Sequence, residues 1–308
     1  MPTSRFVRAY PPAAPPPSEA AAVWLPFRGG ELLIKPGRDE DAAASLARGP
    51  ATRLPTLPRF GDEEPVYLGA LDGVPCFAYE VAEATEATDS ADQVDVAENG
   101  SSAGGWQSVG LRALYGLVDE AEYSLAGYAS QILHWRRVSR FCSACGQPTE
   151  GVENTWGRKC VACGHVAYPP VSPAVLILVH DGGDRVLLAS KAGWGKRYSI
   201  LAGFVEPGEA LEECVAREAL EEAGVPLTDF DYKGSQPWPY PHQIMIGFNA
   251  RYAGGHFPTQ ADLRLDKTEL ARADWFRFDA LPELPPPLSL SRQMIEAWAT
   301  AAAHRAEG

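Results

Sequence analysis

Glu218, Glu221 and Glu222 stand at i, i+3 and i+4 in R-E-A-L-E-E, a spacing that sets three carboxylates on adjoining positions of a helix. Like charges so placed repel one another. A helical wheel puts them in line with Leu211, Cys214 and Val215, with Ala216, Leu220 and Ala223 as a second apolar stripe, so the acids are expected on a partly enclosed face. An enclosed acidic cluster needs cations, and all-oxygen ligands favour Mg²⁺ or Mn²⁺ over softer metals. The chemistry on offer is attack of water on a phosphoryl group whose charge the metal offsets, with one carboxylate free to serve as general base. A solvated acidic helix is the competing reading, and the surrounding frame weighs against it. Gly203 ends the apolar run Ile200-Leu201-Ala202, Pro207-Gly208 turns the chain, Glu209 opens the helix, and Gly224 and Pro226 close it. Arg217 is expected to hold the loop through a charge-assisted contact with Glu209.

A second constellation lies upstream. Cys142-x2-Cys145 and Cys160-x2-Cys163 are separated by fourteen residues, and each pair is followed by Gly. That is zinc-ribbon spacing, and four thiolates close a tetrahedral Zn²⁺ site with no open position, so its role is expected to be structural. His165 is set aside as a donor because four thiolates already complete the site. Disulfides or a redox C-x-x-C are the weaker alternatives, since Cys76 and Cys214 are isolated and no secretory signal is recognisable. A third feature, S-Q-P-W-P-Y-P from Ser235 to Pro241, carries prolines at alternate positions and is expected to be a stiff loop presenting Trp238 and Tyr240. Such a loop either holds a flat heterocycle or is a packed structural turn.

The run G-x5-E-x7-R-E-x-x-E-E-x-G-V from Gly203 to Val225 resembles the signature of Nudix hydrolases, with Ala219 where that family usually has a larger aliphatic residue. Together with the ribbon and the S-Q-P-W-P-Y-P segment, it resembles the NADH pyrophosphatase (NudC-type) branch. Further stretches share that layout: Tyr67-Leu68-Gly69, Leu111 to Asp119, His134 to Arg137, Ser172 to Val175, and Pro285 to Trp298. The resemblance implies an α+β chain: a Nudix α/β/α sandwich with a mixed sheet, preceded by a zinc ribbon and an N-terminal α+β domain. It implies metal-dependent cleavage of the pyrophosphate of NAD(H) to nicotinamide mononucleotide and AMP, and removal of NAD caps from RNA 5′ ends. It adds Glu269 to Glu218, Glu221 and Glu222 as a catalytic-metal ligand, and places Phe204, Trp238, Tyr168, Met245 and Ser291 around the nucleotide. Gln243 stands where relatives commonly have Ser, which bears on fine specificity. It also implies a homodimer, with Tyr168 reaching the partner's site. Two other functions stay open: a Nudix hydrolase for another substrate such as ADP-ribose or a diadenosine polyphosphate, supported by Gln243 and Lys191 to Arg197, and a non-catalytic zinc-ribbon binding module, which the intact acidic cluster argues against.

Elements must position these groups. Residues 20–82 alternate short β-like runs with turns, 82–105 read as a mobile insertion, and Leu111–Leu117 and Glu120–Arg136 as helices. Ala174–Val179 and Arg185–Ala189 are expected to form a hairpin around Asp181-Gly182-Gly183-Asp184, and Ile244–Tyr252 a core strand. The expected domains are 1–137, including a flexible Pro-rich tail, the ribbon at 138–170, and the hydrolase at 171–308. The chain of 308 residues is 45% hydrophobic, enough for two domains and a ribbon, and no apolar stretch approaches the roughly 20 residues that span a bilayer. The N-terminus reads as a tail rather than an export signal, so the expected location is cytoplasmic. A formal net charge of −13 argues against broad nucleic-acid binding driven by phosphate contacts. An RNA role would centre on the 5′ end, with Arg136, Arg137, Arg140, Arg158 and Lys159 either assisting or merely supporting the ribbon.

Overall fold

The computed structural model describes residues 5–11, 21–34, 45–50, 65–81, 106–254 and 259–307. The chain divides into two units, Met1–Pro170 and Val171–Gly308.

In the first unit, seven strands form one sheet: β1 (Phe6–Arg8), β2 (Ala22–Arg28), β3 (Glu31–Ile34), β4 (Ala47–Gly49), β5 (Val66–Leu71), β6 (Val74–Glu80) and β7 (Gln107–Val109). Their order is β1-β5-β6-β2-β3-β7, with β4 also on β2. The central strands are buried on both faces, β2 from Ala22 to Phe27 and β6 from Cys76 to Tyr79, and Trp24 stacks on Phe77 with ring centroids 4.8 Å apart. Phe6–Arg8 are not tail: they pair antiparallel with Gly69–Leu71, because this stretch supplies the backbone partners that β5 would otherwise lack at the sheet edge. The expected insertion at 82–105 lies outside the described residues. Helix α1 (Leu111–Leu114) stops three residues short of the expected end, and Gly116, two residues on, takes a left-handed φ of 82°. Helix α2 (Glu120–Val138) starts on the side chain of Asp119, which accepts from the Glu122 N–H at 2.8 Å. A small three-stranded sheet follows, β8 (Thr149–Gly151), β9 (Arg158–Cys160) and β10 (Val166–Ala167), in the order β10-β9-β8.

The second unit is an α/β/α sandwich around β11 (Ser172–His180). This strand pairs parallel with β15 (Gln243–Tyr252) over nine positions and antiparallel with β12 (Arg185–Ser190) and β13 (Leu201–Phe204). Edge strands β14 (Leu227–Trp238) and β16 (Arg272–Arg277) complete a mixed sheet of six. Alternation along β11 builds both cores. Val175, Ile177 and Val179 face helix α3 (Leu211–Ala223), packing on Cys214, Val215, Ala219 and Ala223. Leu176 and Leu178 face helix α4 (Leu290–Glu307), packing on Ile295 and Trp298. The expected hairpin and the Ile244–Tyr252 strand both form.

Two local readings change. The segment Ser235–Trp238 is the end of strand β14 rather than a loop, since an edge strand tolerates Pro237 without losing an inward ladder bond. The buried stripe of α3 runs through Leu211, Cys214, Val215, Ala219 and Ala223, while Leu220 is 59% exposed. Ala219, small where relatives are larger, sits fully buried in this stripe. No helix among the described residues is long and apolar enough to cross a membrane.

Candidate functional site

Helix α3 carries the three carboxylates at different depths. Glu222 is buried, Glu218 nearly so, and Glu221 projects outward with its side chain 62% exposed. The enclosed face therefore holds Glu218 and Glu222, an i, i+4 pair, and not all three acids. Gly203 makes the room: a Cβ at that position would lie 1.8 Å from Glu218 Cδ. No positive φ is involved, so this glycine is required for space alone. Burial pushes the Glu222 carboxyl up to about 7 against the pull of Lys191, and its Oε2 is buried without a hydrogen-bond partner.

Arg217 organises the approach to α3. Its Nε donates to Glu209 Oε1 at 2.7 Å and its Nη2 to Glu209 Oε2 at 2.9 Å, a bidentate fork. Nη2 also donates to the Phe204 carbonyl at 2.9 Å, and Nη1 reaches Glu218 at 2.9 Å and Glu221 at 3.1 Å. Glu209 does not begin the helix, which starts at Leu211 after an Ala210 N-cap. The Arg217 fork, followed by the Glu206 backbone N–H, holds its carboxyl down at about 2.

Glu269 arrives from the segment before β16. The Arg264 N–H donates to the Ala223 carbonyl at 2.8 Å and the Asp266 N–H to the Glu222 carbonyl at 3.0 Å, which docks this segment on the end of α3. The Ala271 N–H donates to the Ser190 carbonyl at 2.9 Å, bringing Glu269 beside Lys191. Lys191 Nζ lies 3.1 Å from Glu269 Oε2 and 3.6 Å from Glu222 Oε1. Sequence reasoning noted Lys191 without assigning it to the acids, because the contact depends on the register of β12 with β16.

The aromatic and polar residues collect on the other face. Phe204, Ala174, Met245 and Gln236 are consecutive partners in one row across four strands, and Ser172, Gln243 and Trp238 form the row two positions on. Residues in such rows share a face, here the α4 side. Gly203 and Phe204 thus belong to opposite faces, one clearing Glu218 and the other 52% exposed at the end of Met245's row. Trp238 packs edge-on against Tyr240 at 5.1 Å. Ser291 is buried in the first turn of α4 and donates to Ser289 Oγ at 3.0 Å. Gln236, which the sequence reading passed over, donates from Nε2 to the Leu288 carbonyl at 2.8 Å and accepts from the Leu290 N–H at 2.8 Å. Its signal was its place inside S-Q-P-W-P-Y-P.

Tyr168 belongs to the first unit, where it is exposed and its ring lies against Gly157. The thiolates of Cys142, Cys145, Cys160 and Cys163 gather within 4.8 Å of one another, with neighbouring Sγ pairs at 3.4 to 3.7 Å. A tetrahedral site with Zn–S of about 2.3 Å needs Sγ atoms about 3.8 Å apart, so the cluster fits a structural zinc ion. Gly146 and Gly164, each at φ 74°, turn the two knuckles. Backbone N–H groups of Cys163 and Ala162 pull the Cys160 thiol down, toward the thiolate a metal requires. Of the basic set, Arg158 is spent inside the ribbon, donating to Thr149 Oγ1 at 3.0 Å and to the Thr149 carbonyl at 2.7 Å.

The sandwich and its acidic helix define a Nudix domain, and residues 170–298 match the NUDIX domain model. Residues 21–135 match the NADH pyrophosphatase-like rudimentary NUDIX domain, and 137–168 the NADH pyrophosphatase zinc ribbon domain. Similar proteins include the NAD-capped RNA hydrolase NudC of Stutzerimonas stutzeri, 40% identical over 74% of this chain and 75% of that one. The proteins of the same name from Pseudomonas syringae and Deinococcus radiodurans are 42% and 34% identical, over 63% and 91% of this chain and 66% and 88% of theirs. The chain belongs to the Nudix hydrolases of the NADH pyrophosphatase type.

Proposed function

We propose that this hydrolase cleaves the pyrophosphate of NAD(H) to nicotinamide mononucleotide and AMP, and removes NAD caps from RNA 5′ ends. The observation that carries the proposal is the approach of Glu269, from the docked segment, to Glu222 of α3, with Lys191 Nζ 3.1 Å from the first and 3.6 Å from the second, across the sheet from the row of Phe204 and Met245. The agreement in layout with relatives named NAD-capped RNA hydrolase supports the substrate.

These donors fit a hard divalent cation, Mg²⁺ or Mn²⁺: all are carboxylate oxygens, and Glu222 Oε2 is buried with no partner. When bound, the cation offsets phosphate charge and lowers the pKa of water. Glu218, Glu222 and Glu269 would hold it, with Glu221 at the exposed rim. Arg217 keeps Glu218 and the Phe204 carbonyl in place. Phe204 and Trp238 offer flat surfaces to a base, with Met245, Ser291 and Gln243 beside them and Tyr168 supplied by a second copy of the chain in a homodimer. Water adds across the anhydride: one phosphorus gains a P–O bond to hydroxyl, the bridging oxygen leaves with the other phosphate, and the proton passes to a carboxylate or solvent. The hydrolase module is taken as 171–308, with the ribbon at 138–170 and the N-terminal domain before it, in a cytoplasmic enzyme.

Gln243 favours a second reading, a Nudix hydrolase for ADP-ribose or a diadenosine polyphosphate, because it pairs with Trp238 where a shorter residue is usual. One experiment separates them: product analysis with NADH, NAD⁺, ADP-ribose and NAD-capped RNA in Mg²⁺ or Mn²⁺. The proposal expects nicotinamide mononucleotide as a product and the NAD-linked substrates ahead in kcat/KM. ADP-ribose cleaved fastest, with NADH a poor substrate, would favour the second reading.

A further inference from the structure

The five carboxylates around α3 are shared between two cations of unlike character. Arg217 serves Glu209, Glu218 and Glu221, and Lys191 serves Glu222 and Glu269. Fully ionised, the five carboxylates exceed the two cations by three negative charges, so in that state the cluster is under-neutralised. Arg217 cannot leave without dismantling the loop, since its planar fork is committed to Glu209 and to the Phe204 carbonyl. Lys191 differs in every respect. It carries a point charge on a flexible stem, its side chain is 37% exposed, and it touches Glu222 at 3.6 Å, beyond a hydrogen bond. Yet it stands between the two groups that the reading above assigns to the metal, one from α3 and one from the segment before β16.

We propose that Lys191 is the site's internal counter-cation: it bridges Glu222 and Glu269 while the metal is absent and swings into solvent when a divalent cation takes its place. The inference rests on the metal-site reading of Glu222 and Glu269 and adds an exchange step to it. Lys191 Nζ and a cation held by both carboxylates would occupy the same space, and two positive charges at that range repel by several times the thermal energy even at a surface-like dielectric. The lysine therefore lowers the affinity for metal while keeping Glu269 close to Glu222 in its absence. It is a positioning residue.

The test is Mn²⁺ binding to the full chain, followed by electron paramagnetic resonance without substrate, for the native protein, Lys191→Met, Lys191→Arg and Glu222→Gln. Lys191→Met should bind Mn²⁺ roughly tenfold more tightly, and its metal-free Tm should fall. Lys191→Arg should stay near native affinity. Unchanged or weaker binding in Lys191→Met, with weaker binding in Glu222→Gln, overturns the exchange and leaves the metal site standing. Native affinity in Glu222→Gln overturns the metal site itself, and the exchange with it. Should the lysine variants not fold, the native protein still decides: acetic anhydride should acetylate Lys191 several-fold faster in saturating Mg²⁺ than in chelator. Equal labelling in the two conditions overturns the proposal.

Discussion

Arg217 and Glu209, eight residues apart, close on each other through two parallel hydrogen bonds of 2.7 and 2.9 Å, and this fork ties the turn before α3 to the middle of the helix. Arg217→Lys keeps the charge but loses the fork, together with most of the bonds to Phe204 and Glu218. Thermal melts should show a Tm lower by several degrees, and kcat should fall by more than tenfold while KM changes little, because the carboxylates lose their placement. The Glu209 carboxyl is held at about 2, below its ordinary 4.5, so its share of stability is present above pH 4.5 and lost as the pH falls toward 2. Arg217→Lys should flatten that acid limb of the stability profile.

Glu222 has the opposite sign. Its carboxyl, raised to about 7 by burial, favours the folded state fully only below pH 4.5, and that contribution is lost as the pH rises through 7. In chelator, Glu222→Gln should raise Tm at pH 8 relative to the native protein, with the gain vanishing near pH 4.5. Turnover should fall by orders of magnitude. Glu221→Gln should leave the metal-free Tm nearly unchanged, since that side chain is largely exposed, yet impair turnover under limiting Mg²⁺. Near-normal rates in both variants at limiting Mg²⁺ would sink the metal-site reading.

Gly203→Ala places a methyl group where the Glu218 carboxyl lies. Overpacking of this kind costs about 1–3 kcal/mol, read by chemical denaturation, and the displaced carboxylate should weaken Mn²⁺ binding. Full stability and activity in Gly203→Ala would mean that Glu218 can vacate its place freely.

How much of this was legible beforehand divides by range. The α3 carboxylates, the Arg217–Glu209 contact and the four cysteines follow from spacings of a few residues, which a helix or a knuckle converts directly into proximity. The continuous apolar run Ala174–Val179 before a Gly-rich turn likewise announced a strand, and the resemblance supplied its layers. What could not be read depends on register between distant segments. Lys191 meets Glu269 only because Ala271 bonds to Ser190, and Phe204 joins Met245 only through Ala174. The S-Q-P-W-P-Y-P segment looked like a loop because its prolines veto a central strand, and edge placement removes that veto. The outward turn of Leu220 and Glu221 was missed because two stripes fit the wheel equally well until the sheet selected one.

Trp238 lies in the row next to Met245 and Gln236, open enough to offer a stacking face. By analogy with base–aromatic stacking, Trp238→Ala should cost on the order of 1–3 kcal/mol, or roughly 5- to 150-fold in kcat/KM for NADH. A small pyrophosphate without a second ring should lose much less. Equal losses for both would reduce the segment to a structural edge. Gln243→Ser should shift the ratio of NADH to ADP-ribose cleavage without changing metal dependence.

The thiolate cluster should hold one zinc ion per chain. Chelation should unfold the ribbon while leaving the fold of the hydrolase unit intact, because binding energy in such a site is folding energy. Elemental analysis without zinc, in protein of normal thermal stability, would exclude it.

Gln236 spends both ends of one amide on one short segment, its Nε2 donating to the Leu288 carbonyl and its Oε1 accepting from the Leu290 N–H. That makes it a polarity lock. A glutamate of the same shape could still accept from Leu290 but would set its second oxygen against the Leu288 carbonyl, so shape alone does not qualify a replacement. The aromatic edge of the sheet and the start of the last helix consequently behave as one part. A length change in either tract would have to be matched in the other, and engineering of substrate choice must treat residues 236–245 and 288–291 as a single unit of exchange.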